Sequence, residues 1–303
     1  MINIEIEKFI LYTFCSMKKI AIITDDNAGF TKEEISKFDN LFVVGMPTLI
    51  DGETFYENVN ITHDDFYEAL ELDKDVKTSQ PIPGKVMEFW DEILKEFEYI
   101  IHIPMSSGLS KSCETAQVLA KEYNGKVIVV DNRRIASTLK RSVKDALNLA
   151  KDGCDPLQIK EILEETRAIS SIFIMVDTLK YLKKGGRVSA SAAALGSALH
   201  IKPVLRIDGG LLEPAGKVIG TKKGRAFMIA ETKKILKEVY DDNISDVEFS
   251  VCYTYDLEKA LDFKYQLEQE LGIKITHVDP LSLSVSTHIG PGSLAITSAK
   301  IIK

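Results

Sequence analysis

No C-x-x-C pair, no histidine spacing suited to a metal and no apolar run of membrane-spanning length occurs in the 303 residues. The four cysteines, Cys15, Cys113, Cys154 and Cys252, are widely scattered. That pattern fits reduced thiols in a cytosol and argues against a disulfide framework or a zinc site. Neither G-x-G-x-x-G nor G-x-x-x-x-G-K-[ST] stands in a phosphate-loop position, so the sequence does not point to a nucleotide site of those kinds. A net charge of −7 argues against nucleic acid as the main partner, because phosphate binding needs clustered Lys and Arg. With 45% hydrophobic and 27% charged residues, the chain is neither disordered nor fibrous, and its length suits two packed domains.

Residues 1–16 mix acidic residues with a short apolar stretch and read as an extension or an upstream start. From Met17, strand-length apolar runs alternate with helical patterns. Ile20 to Thr24 is β-branched, and "LFVVGMPTLI" reads as a second run closed by an Asp51-Gly52 hairpin signal. Thr62 is a good N-cap. Helix Gly84 to Phe97, strand Tyr99 to Ile103, helix Ser112 to Tyr123, strand Lys126 to Val130 and helix Ser137 to Lys151 follow. Strands apolar throughout and separated by helices predict an α/β domain with a parallel sheet over 17–168. Pro156 suits the first turn of another helix. Over 169–303 the pattern becomes α+β: strand Ser171 to Val176, a small-residue helix Ser189 to Leu199 and a hairpin at Asp208-Gly209-Gly210. Helix Arg225 to Tyr240, strand Glu248 to Tyr253, helix Leu257 to Leu271 and a last strand Lys274 to Val278 complete it. The fold class is α/β, an N-terminal parallel-sheet domain packed on a C-terminal α+β domain, with a ligand between them.

In a parallel sheet, ligands sit beyond the carboxyl ends of the strands. Ser106 to Ser110 stands there, before a helix, where free N–H groups and the positive end of the helix dipole favour an anion. The serines are either an anion cradle or simple helix caps. Thr78, Ser79 and Gln80 lie in a proline-stiffened loop and can donate hydrogen bonds. His288 precedes Gly290-Pro291-Gly292, a path suited to close approach, and is either an oxyanion donor or structural. Arg187, after Gly185-Gly186, is an anion ligand or a solvated charge. Asp25 and Asp26 read as a turn or hydrogen-bond pair, with a metal or a general base as the alternative. "GLSKS" from Gly108 nearly matches a nucleophile elbow, so a serine hydrolase acting on an acyl ester through Ser110 and His288 stands as the alternative function.

Taken as a set, "TSQP" at Thr78 to Pro81, "SSGLS" at Ser106 to Ser110, "KGGR" at Lys184 to Arg187, "IKP" at Ile201 to Pro203 and "HIGPG" at His288 to Gly292 resemble the DegV family. The resemblance implies a cytoplasmic lipid-binding protein of phospholipid metabolism, the lipid-carrying subunit of a fatty acid kinase. It would hold a long-chain fatty acid in an apolar tunnel and present the carboxylate to a separate ATP-binding kinase subunit, in transient contact with membranes. It would need no cofactor or metal and perform no catalysis alone. Thr78 and Ser107 would hold the carboxylate, with Ser79 and Ser106 beside them, His288 as a third contact and Arg187 near the head group. Lys111, Ser112 and Cys113 replace the family's usual Gly-Thr-Tyr, and Gly220 stands where an arginine is common.

Overall fold

The computed structural model describes residues 19–187, 201–208 and 211–303. The expectations for residues 1–16, for a helix from Ser189 to Leu199 and for the Gly209-Gly210 turn lie outside the described residues.

In chain order the first half contains β1 (Ile20–Asp25), α1 (Lys32–Ile35), β2 (Leu41–Val44), β3 (Thr48–Ile50), β4 (Glu53–Phe55) and α2 (His63–Glu71). β5 (Val76–Thr78), α3 (Pro83–Ile93), β6 (Tyr99–Ile103), α4 (Ser112–Leu119), β7 (Val127–Val129), α5 (Ala136–Lys151) and α6 (Pro156–Glu165) follow. The second half contains β8 (Ser170–Met175), α7 (Lys180–Gly185), β9 (Ile201–Asp208), β10 (Leu211–Ile219), α8 (Thr221–Glu238) and β11 (Val247–Tyr253). It ends with α9 (Leu257–Leu271), β12 (Ile275–Pro280), α10 (Leu283–Ile289) and β13 (Leu294–Lys300).

The continuous apolar strands form the expected parallel sheet, in the order β2-β1-β6-β7, with Ile22 opposite both Leu41 and Ile101. Both faces of β1 are buried, as a sheet covered by helices requires. The chain leaves β1 for β2 on one side and returns to β6 on the other. That reversal opens a crevice beyond the strand ends. Polar side chains start the helices where the sequence places them. Thr31 and Thr62 each close a capping box, and so does Asp155 ahead of Pro156.

The run Leu41 to Ile50 is two strands and not one. Gly45, Met46 and Pro47 break it, so β2 joins the parallel sheet while β3 pairs with β4 and β5 in a small antiparallel sheet. The β3–β4 hairpin turns at Asp51 and Gly52, both at positive φ. The C-terminal sheet has six strands in the order β10-β9-β8-β13-β11-β12, mixed in direction. The strand near Lys274 is not the last. β13 follows it and lies in the middle of the sheet between β8 and β11.

α5 holds the two halves together. It packs against β1 on one side and against β8, β11 and β13 on the other, and most of its residues are buried, charged ones included. Lys140, 1% exposed, reaches Glu34 of α1 at 3.0 Å and Asp279 of β12 at 2.9 Å. Arg141 pairs with the fully buried Asp145 at 2.9 Å and with Glu248 of β11 at 3.3 Å. The N-terminal half thus reaches the C-terminal sheet through a desolvated ionic layer, where removing one partner strands the others. Among the described residues, no helix is long and apolar enough to cross a membrane.

Candidate functional site

Asp25 ends β1 at the crevice and Asp26 opens the short turn after it. Asp25 accepts from the Met105 N–H at 2.8 Å, and Asp26 accepts from the Met46 N–H at 2.7 Å. Two carboxylates thus fix the loops after β6 and β2, in the hydrogen-bond role their position suggests. Burial raises Asp25 to about 6, and burial together with the neighbouring Asp25 charge pushes Asp26 well above the ordinary carboxylate range. Asn27 continues the chain of contacts. It donates to Asp25 at 2.9 Å and accepts from Ser282 Oγ at 2.8 Å, and Ser282 caps α10 through the Val285 N–H. The Leu283 N–H donates to Glu57 at 2.8 Å, and Tyr67 donates to Ser286 at 3.1 Å. The helix that carries His288 is therefore positioned by groups from the N-terminal half.

His288 lies in the last turn of α10, not in a loop. Its Nε2 is 2.8 Å from Thr78 Oγ1, at the end of β5, and its buried Nδ1 has no partner. Gly185 faces that nitrogen so closely that a Cβ there would overlap it. Burial, helped by the Arg187 charge, lowers His288 to about 4, so the ring is neutral at ordinary pH.

One side of this pair faces a pocket of about 60 Å3 whose apolar wall includes Met46, Met105, Leu109, Ile135, Val285 and Ile289. Thr78, Ser79, Ser110, Arg187 and His288 bring polar groups to it. A single water needs about 10–15 Å3 by the same measure. The pocket thus has room for a few non-hydrogen atoms. The other side faces a larger pocket, of about 260 Å3, edged by Lys74, Lys77, Lys180, Lys184 and Arg187.

Of the residues expected at the site, Thr78, Ser79, Arg187 and His288 line the apolar pocket, while Ser106 and Ser107 do not. Ser107 donates to Asp131 Oδ2 at 2.6 Å, and its N–H points to Asp131 Oδ1 at 3.3 Å. The anion held by that hydroxyl and N–H is the protein's own carboxylate. Ser106 is fully buried and accepts from the Gly108 N–H. Ser110 accepts from the Ser112 N–H and still reaches the pocket. The hydroxyl cluster is therefore largely a turn and cap that builds the wall. Gln80 fastens the proline loop by accepting from Thr115 at 3.0 Å. Ser79 is fixed by its N–H donating to Pro47 O at 3.0 Å.

Sequence reasoning missed Met46 and Met105, although both follow strand ends where a parallel sheet places ligands. It also missed the lysines that line the larger pocket with His288, while the short helix that Gly185-Gly186 is expected to end is α7. Among the described residues no serine hydroxyl bonds His288, and an imidazole held near 4 is a weak general base at neutral pH. No group of side chains among the described residues is arranged to hold a metal ion.

Comparison with known proteins agrees with this architecture. The profile of an uncharacterised protein family, the DegV family, matches residues 19–300. A DegV domain-containing protein of Halalkalibacterium halodurans is 31% identical, covering 93% of this chain and 98% of its own. A DegV domain-containing protein of Staphylococcus aureus is 27% identical, covering 94% of this chain and 100% of its own. Among solved structures, the fatty acid binding DegV family protein of Streptococcus agalactiae superposes with a TM-score of 0.83 at 25% identity, covering 93% of this chain and 99% of that one. DegV of Bacillus subtilis, a fatty acid binding protein, gives 0.81 at 25% identity, with the same coverage. The profile match spanning nearly the whole chain, on a fold of three sheets with a pocket at the parallel-sheet crevice, makes this protein a member of the DegV family.

Proposed function

We propose that this protein binds a fatty acid with its carboxylate at the Thr78–His288 pair and its first carbons in the apolar pocket. The observation that carries this reading is the pair itself, a hydroxyl and a neutral imidazole 2.8 Å apart at the polar end of a pocket lined by Met, Leu, Ile and Val. A buried carboxylate needs its oxygens satisfied. With His288 Nε2–H donating to Thr78 Oγ1, the Thr78 hydroxyl is free to donate to the carboxylate, Ser110 adds a hydroxyl, and Arg187 adds a positive charge at the rim. For Ser107 to contribute, its hydroxyl must leave Asp131. Each methylene buried along the chain adds about 0.8 kcal/mol, so few polar contacts suffice for tight binding. The fatty acid binding described for the similar DegV structures supports the same ligand.

The bound acid is then the substrate of a separate ATP-binding kinase subunit. A carboxylate oxygen attacks the γ-phosphorus of ATP, ADP leaves, and the acyl phosphate stays with the carrier. The protein works in the cytoplasm, with transient contact with a membrane to exchange lipid. Two measurements test this. Titration calorimetry with a fatty acid and its methyl ester should favour the acid by tenfold or more, since the ester loses a charge-assisted hydrogen bond worth about 1.5–3 kcal/mol. Equal affinities would contradict the head-group assignment. Acyl hydroxamate trapping should detect acyl phosphate only when kinase subunit, ATP and loaded carrier are combined.

A further inference from the structure

The amino ends of the parallel strands frame a broad groove, at the end of the sheet away from the crevice. Four pieces of chain build it: the start of β1, the segment before β2, the segment before β6 and the last turns of α5. The space measures about 780 Å3, against about 60 Å3 for the apolar pocket beside His288. Ile20, Phe38, Phe97, Leu147 and Ala150 give it an apolar floor, and Lys19, Lys37 and Lys151 stand around that floor with Asp39 and Glu96. Lys19 Nζ lies 4.7 Å from the centre of the Phe97 ring. Lys37 pairs with the exposed Glu33 at 3.3 Å, a contact worth little in water. Lys151 forms no ion pair among the described residues.

The described chain begins at Lys19, on the edge of this groove. Residues 1–18 carry, in sequence, Glu5 and Glu7, then the apolar run Phe9-Ile10-Leu11-Tyr12, then Phe14. The family profile starts at residue 19, so this run lies outside the shared fold. Phe14 is five residues from Lys19 and Phe9 is ten. At up to about 3.3–3.6 Å per residue, both fall within reach of the groove. From this juxtaposition we infer that residues 9–14 cover the groove of their own chain, apolar side chains over the floor and Glu5 and Glu7 toward Lys37 and Lys151. The tether holds the run at an effective concentration on the order of millimolar, so modest contacts suffice. The segment closes the end of the sheet remote from the Thr78–His288 pair, and the inference is independent of the fatty acid reading.

Chymotrypsin, whose specificity pocket takes bulky apolar side chains, has sites in this run at Phe9, Leu11, Tyr12 and Phe14. Brief digestion followed by mass spectrometry compares the full chain with a synthetic peptide of residues 1–18. Cleavage within residues 9–14 should be about tenfold or more slower in the full chain, because the protease reads the open fraction. The Lys37→Glu/Lys151→Glu variant, altered only at exposed side chains, should move toward the peptide rate. Ala150→Asp, which places a charge on the floor, should move further. Cleavage of the full chain at the peptide rate would overturn the inference, and so would equal protection in wild type and both variants. Protection that grows with protein concentration, together with a dimer in sedimentation, would overturn it too, since the run would then cover a second copy.

Discussion

The Nε2 of His288 and the hydroxyl of Thr78 meet at 2.8 Å although 210 residues separate them in the chain. The contact joins the small antiparallel sheet to α10, and it is where the apolar and basic pockets touch.

The first consequence concerns protonation. The ring, lowered to about 4 by burial and by Arg187, should be neutral at ordinary pH, and a carboxylate beside it should raise that value. Affinity for the acid is then level above the raised value and increases as pH falls from it toward about 4. Imidazole NMR with and without a fatty acid measures both values. A midpoint that stays put on binding would show that the carboxylate sits elsewhere.

Ser107 and Ser110 should part company. Ser110→Ala removes a hydroxyl from the pocket and should weaken fatty acid binding several-fold, about 1 kcal/mol. Ser107→Ala breaks the 2.6 Å bond to Asp131. It should lower stability by about 1 kcal/mol and change affinity little. Denaturant unfolding and calorimetry on both variants check this. A large affinity loss in Ser107→Ala would mean that its hydroxyl abandons Asp131 for the ligand.

Gly185→Ala tests the packing behind the imidazole. A Cβ there overlaps His288 Nδ1, so the ring must turn away from Thr78. Affinity should fall tenfold or more, with about 1–3 kcal/mol of stability lost to overpacking. Wild-type binding in this variant would show that the ring orientation is unimportant.

Lys140→Met addresses the ionic layer. It leaves Glu34 and Asp279 facing each other without their cation. Unfolding by urea should show a loss of about 3 kcal/mol, and Lys140→Arg should recover part of it. A change within about 0.5 kcal/mol would place Lys140 among ordinary surface residues.

Buried His102 gives a pH signature of the fold. Burial lowers it from 6.5 to about 3. The stability gained by keeping it neutral is present above 6.5 and is lost as pH falls toward about 3, because the unfolded chain takes up the proton first. Replacing it by Phe should flatten stability over that window. An unaltered slope would assign the acid sensitivity to other groups.

Elements with a clean pattern were legible from sequence. Tyr99–Ile103 and Leu257–Leu271 run as their apolar spacing predicts. Legibility failed where tertiary context supplies what the residues lack. β13 carries Thr297 and Ser298, polar but buried, and they are satisfied by Ser250 O and by Ser171 and Tyr240. Those partners are remote in sequence, and the strands expected from sequence end at Lys274 to Val278. The helix expected from Ser137 to Lys151 is α5, but nothing in its sequence shows that the second sheet covers its Lys and Arg. Thr78 and His288 are singled out in the sequence by the proline loop and the Gly-Pro-Gly path, and the fold brings them to 2.8 Å. The turn of Ser107 toward Asp131 is not legible there, since only the fold brings that carboxylate within reach.

The most direct test of the central claim is denaturing extraction of the purified protein followed by negative-ion mass spectrometry of the released small molecules. Wild type should release a fatty acid, close to one per protein, and a Thr78→Val/His288→Phe variant that remains folded should release much less. A blank that persists after delipidation and incubation with a fatty acid mixture would contradict it.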